Sequence, residues 1–237
     1  MTQNFVNFQN RIDEIKRGLN LDSPFLAEKV DEYQECTKAF ILLAHAELEK
    51  YFETISMQIV KDGYKTFKES GDINKPLLAL LSSHIYDYTT PRWFSDEKYK
   101  KDAKLDDRIG HFVEAFLKKI VKKNNGIKGK DVFKMLWTIG FSKEDVGESL
   151  ITSLNNYGSK RGALAHRGTI GTTTSLNYER EIKEVDDIKK ELLKFDSLVE
   201  SNNYLRPDTS ISAIEILLYK NDDDEEDDEE TNEDEKE

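Results

Sequence analysis

PFLAEKVDEYQECTKAFILLAHAELEKYFETISMQIVKD, residues 24–62, runs for almost forty residues without a helix breaker after its opening proline. Ser23 is placed to cap a helix and Pro24 to sit in its first turn, where a missing N–H costs nothing. The next breaker is Gly63, so the sequence predicts one helix over the whole span. In its middle Phe40, Ile41, Ala44, Leu48, Phe52 and Ile55 fall on one face, with Glu47, Glu49, Lys50 and Glu53 mostly outside it. Such a helix is about 60 Å long, more than the width of a small domain, so it must be the spine against which shorter elements pack.

Helical periodicity continues on both sides. Phe5, Phe8, Ile12 and Ile15 make a stripe ending near Gly18, and Ile109, Phe112, Val113, Phe116 and Ile120 make another over 108–123, with His111 at its edge as a structural residue. KDVFKMLWTIG (130–140) reads as a short helix stopped by Gly140. Ser142 with Asp145 starts the next one, which carries Val146, Leu150, Leu154 and Tyr157 toward Arg161. Ile182, Val185, Ile188, Leu192, Phe195 and Val199 mark a last long helix over 178–200. Residues 63–107 are the least regular part and are expected to be mostly a surface excursion, TIGTTTSLN (169–177) a connecting loop, and 210–219 an edge strand or docking segment. The expected fold is all-α, a bundle of five to seven helices in one domain, residues 1–220, followed by a disordered acidic tail, 221–237.

That tail corrects a misleading average. The chain carries a net charge of −12, and residues 221–237, with thirteen acids and one lysine, account for all of it, leaving 34 basic and 34 acidic residues in the body. An acidic chain overall therefore does not argue against a nucleic-acid partner. Cys36 is the single cysteine, no Cys/His group has zinc-ligand spacing, and no glycine-rich phosphate loop is present, so neither a metal nor a cofactor is expected. With no apolar run of spanning length and no signal-peptide pattern, the expected location is the cytoplasm, away from membranes.

The chemically sharp stretch is NNYGSKRGALAHRGTIG, residues 155–171. Arg161 is cationic at any cellular pH, and His166 can move a proton near neutrality; together they suit a phosphodiester. Five positions on an ideal helix place them about 140° apart, so one phosphate is reached by both only if the helix ends or loosens near Gly168, or if a second copy of the chain brings its own pair. The plainer reading is two basic residues that the helix dipole favours at a C-terminus. His45 and Glu49, at i and i+4 on the long helix, are candidate supporting residues, Glu47 is another that spacing does not separate from Glu49, and a solvated helix face is the alternative. Tyr86, Tyr88, Arg92, Trp93, Phe94, Tyr99, Lys100 and Lys101 interleave aromatics with cations in a way that fits single-stranded RNA, or a satellite apolar cluster under a loop.

RGALAH (161–166) fits the R-x4-6-H pattern of the HEPN superfamily, FILLAHAELEKYFETI (40–55) resembles the long helix of those domains, and DVFKMLWTIGF (131–141) before the Arg/His helix is similar to the RiboL-PSP group. The resemblance covers roughly residues 25–200 and implies a helical, metal-independent endoribonuclease, a toxin or antiviral defence effector with RNA as substrate. It implies that Arg161 stabilises the charge of the phosphorane and His166 acts as general base or acid. Lys160 and Arg167 are expected to hold RNA, the 140° divergence makes a homodimer the expected working unit, and a cognate antitoxin or defence partner is a further expectation. Gly162 stands where active families often carry Asn or another polar residue. That leaves open a non-catalytic HEPN-like module that binds RNA or a nucleotide, or holds a dimer.

Overall fold

In the computed structural model, which describes residues 1–20, 30–83, 104–167 (165–167 by backbone alone) and 176–205, the breaker-poor stretch is helical from Val30 to Ser70. This helix, α2, follows α1 (Gln3–Gly18) and precedes α3 (Lys75–Ser83). Next come α4 (Leu105–Phe116), a π-helical turn (Leu117–Val121), α5 (Gly129–Thr138), the short α6 (Lys143–Val146), α7 (Glu148–Arg167) and α8 (Tyr178–Ser201). The described residues contain eight α-helices and no strand, more helices than the five to seven expected. The surplus comes from α3, which forms inside the stretch read as irregular, and from a break at Gly147 that separates α6 from α7. Ser23 and Pro24, the aromatic and cationic residues of 86–101, most of the 169–177 run, the 210–219 segment and the acidic tail lie outside the described residues.

Gly63 does not stop α2. A side chain there would start 2.8 Å from Oδ1 of Asn74, and that oxygen accepts the backbone N–H of Leu77 (3.0 Å), capping the first turn of α3. The glycine is a gap through which the cap of a neighbouring helix reaches, and the chain turns only at Gly71, where φ is +81°.

The spine packs against α1, α3, α4, α5, α7, α8 and the π turn. Its expected face is fully buried: Phe40, Ile41, Ala44, Leu48, Phe52 and Ile55 expose nothing. Glu53, expected outside that face, is also buried and accepts from Nδ2 of Asn124 at 3.1 Å. In the π turn the amide of Lys122 donates to the carbonyl of Leu117 (2.8 Å), and the extra residue rotates the stripe. Leu117 and Val121 therefore point inward, Ile120 and Phe112 are half-buried, and His111 is exposed beside Glu114 rather than at the edge of the core.

The two ends of the described chain are joined by one carboxylate. Asp196 of α8 is wholly buried and accepts from the Thr2 amide (2.7 Å), the Thr2 hydroxyl (2.5 Å) and the Tyr51 hydroxyl (3.0 Å). Ser142 and Asp145 form the expected capping box, the Ser142 amide donating to Asp145 Oδ2 (2.8 Å) and the Asp145 amide to Ser142 Oγ (3.2 Å).

Gly140 ends α5 with φ at +89°, and a Cβ there would lie 2.8 Å from Cβ of Ala79 in α3. Gly140→Ala is therefore expected to cost about 2 kcal/mol or more, because backbone strain and a clash add. Gly18→Ala, at the end of α1 with nothing within 4 Å of the new carbon, should be nearly neutral. Urea midpoints of the two variants check the contrast, and equal midpoints would contradict it.

Candidate active site

Tyr157 fixes the level at which α7 meets the spine. Its ring is wholly buried and its hydroxyl donates to the carbonyl of Ile41 (3.3 Å). One turn beyond Tyr157 on α7 is Arg161, and one turn beyond Ile41 on α2 is His45; both line the same cleft of about 400 Å³. The other wall is the segment between the π turn and α5, contributing Lys123, Asn124 and Lys128, together with the first turns of α5, contributing Lys130, Asp131 and Lys134.

Glycines let that segment lie close to α7. A side chain at Gly129 would meet Cγ2 of Ile151 at 2.6 Å, and one at Gly158 would meet Cγ of Lys128 at 3.0 Å. The approach is locked by the Gly129 amide, which donates to Oδ1 of Asn155 (2.9 Å). Gly162, one turn past Gly158, also lines the cleft, and a Cβ there would meet nothing within 4 Å. The glycine after Arg161 thus leaves the floor of the cleft open.

The lining is strongly cationic, with Arg161 and four lysines against one aspartate. Among the described residues none of these five cations is in an ion pair. Such a concave array concentrates anions. Among the described residues no group of three His, Cys, Asp or Glu side chains gathers as a metal ion would need.

His45 is 4% exposed. Burial, reinforced by the charge of Arg161, lowers its pKa from 6.5 to about 4, so it stands neutral in the wall of the cleft at physiological pH. Glu49 Oε2 lies 3.9 Å from its Nδ1, and Asn124 Nδ2 lies 3.5 Å from Glu49 Oε1, continuing the polar chain toward Glu53. The unfolded chain protonates His45 first on acidification, so stability present above about pH 6.5 is lost as pH falls toward 4. The loss should reach about 2 kcal/mol by pH 5. His45→Gln should flatten this part of the acid dependence, read from denaturant titrations at pH 8 and pH 5; an unchanged acid loss in the variant would contradict a buried neutral imidazole.

The other expected site residues divide. Glu47 turns away to Arg11, whose Nε is 3.1 Å from its Oε1, so of these two acids it is Glu49 that adjoins His45 in the cleft wall. Lys160, expected to hold RNA, is bound by Glu181 (2.6 Å) and Glu184 (2.5 Å) of α8 instead, because it points to the side of α7 that packs there. His166 and Arg167 close α7, which runs to Arg167 without loosening first. The backbone therefore keeps positions 161 and 166 about 140° apart on one helix. Of the cleft lysines, Lys128, Lys130 and Lys134 were not singled out in the sequence, although Lys130 and Lys134 share one face of α5.

The RiboL-PSP-HEPN family model matches residues 6–201 of the chain. Searches of the curated proteins and of the solved structures give no match.

Proposed function

The chain belongs to the RiboL-PSP-HEPN family, and from that premise we propose that it is a metal-independent endoribonuclease whose site is assembled from two copies of α7. The observation that carries this reading is Arg161, on the R-x4-H segment, lining a cleft with four lysines, none of the five cations being ion-paired among the described residues. In the proposed reaction the 2′-hydroxyl of RNA attacks the adjacent phosphorus, losing its proton to a base, while the 5′-oxygen leaves and is protonated. A cyclic 2′,3′-phosphate and a 5′-hydroxyl result. Arg161 offsets the charge that grows on the phosphoryl oxygens, and His166 moves the proton. The 140° divergence along α7 favours His166 being drawn from a facing copy.

The same family accommodates modules that bind nucleotides without cutting RNA, and the open floor at Gly162 is compatible with one. Incubation with end-labelled RNA separates the two readings. Cleavage undiminished by EDTA, with cyclic phosphate ends, is the expected result; tight nucleotide binding with no cleavage under any condition would favour the module. Light scattering of the same preparation should give the mass of a dimer, and a monomer that cuts RNA would remove the two-copy site. Toxicity of the expressed chain in cells, absent from His166→Ala, is the expected behaviour of a toxin or defence effector.

A further inference from the structure

α5 carries more than two lysines of the cleft. Val132, Met135, Leu136 and Thr138 bury one side of it, and on the other side Lys130, Lys134 and Trp137 follow at i, i+4 and i+7, a single stripe. Lys130 and Lys134 line the cleft beside Arg161. Trp137, one turn further, is 57% exposed, although indole is among the costliest side chains to leave in water and α5 has a buried face that could have held it. The stripe therefore runs from a cationic cleft to an exposed aromatic plate.

We infer that this stripe is a track for single-stranded RNA leading away from the phosphate at Arg161, an inference that rests on reading Arg161 as a ligand of the scissile phosphate. Lys130 and Lys134 hold backbone phosphates, and the face of Trp137 stacks an unpaired base. The distance from Lys130 to Trp137 along the helix is about 10 Å, enough for about three stacked nucleotides of one strand. A strand is favoured over a duplex because the bases of a duplex are stacked on each other and offer no free face to an indole. It is favoured over an acidic peptide because two cations followed by an exposed aromatic plate match a polymer that carries both phosphates and bases.

Binding is separated from cutting by using a labelled 2′-O-methylated 12-mer, which lacks the attacking hydroxyl, with the full chain and fluorescence anisotropy as the readout. Trp137→Ala should weaken binding about tenfold, Trp137→Phe should keep most of it, and both should melt like wild type because the ring is exposed. Lys130→Gln and Lys134→Gln should each weaken binding and lower the salt dependence by about 0.7 in slope. A duplex of the same sequence should bind more weakly than the single strand. If the wild-type chain cuts RNA yet binds the 12-mer no better than these variants, or prefers the duplex, the track is overturned and the family reading stands. If the wild-type chain neither binds nor cuts any RNA, both fall together.

Discussion

Arg161→Ala and His166→Ala are each expected to reduce RNA cleavage by a factor of about 10² or more while leaving the bundle folded. Arg161 is exposed at the mouth of the cleft and has no ion-pair partner among the described residues, so its removal takes away charge stabilisation without opening a hole in the core. A second readout needs no substrate. The guanidinium is one of the two causes that lower the His45 pKa, after burial, so Arg161→Ala should raise the His45 titration midpoint above about 4 in an NMR titration. Unchanged cleavage by either variant would remove that residue from the chemistry, and unfolding of both, seen by circular dichroism, would make them structural.

The largest expected effect on stability is at Asp196, which does not line the cleft. Asp196→Ala would leave the hydroxyl of Tyr51 and the amide and hydroxyl of Thr2 without their acceptor in a wholly buried site. The cost should be roughly 3–5 kcal/mol, read from denaturant midpoints. Tyr51→Phe, which removes one donor and leaves the carboxylate with its other two contacts, should cost only about 1 kcal/mol. An Asp196→Ala variant within about 1 kcal/mol of wild type would show that the N-terminus is not held by this carboxylate.

Much of the bundle was legible because a long helix advertises itself twice, by periodicity and by the absence of breakers. The stripes of α1, α2 and α8 are buried as their spacing implies, apart from a half-buried Ile182, and the family match begins at residue 6, taking in α1 as well as the region of the resemblance. Where the reading failed, the deciding contact was distant in sequence. Gly63 looks like a stop until Asn74 is seen reaching over it, and Lys160 looks available until Glu181 and Glu184 arrive from another helix. Glu47 and Glu49 are equivalent on spacing, and only Arg11 on one side and His45 on the other tell them apart. The π turn shifted one stripe by a residue, which no periodicity count reveals. Lys130, Lys134 and Trp137 were readable as one face of α5, yet their meaning depends on Arg161 lying opposite, which the fold alone supplies.

The two-copy site is tested most directly by mixing two inactive variants. Arg161→Ala and His166→Ala chains, co-refolded so that subunits exchange, should recover activity, because a mixed dimer rebuilds one site from the intact arginine of one chain and the intact histidine of the other. Random pairing predicts about a quarter of the wild-type rate, since half the dimers are mixed and each has one of two symmetric sites restored. Mixed dimers that form, as shown by tagged co-purification, and yet stay as inactive as either parent while wild type cuts RNA, would contradict the account.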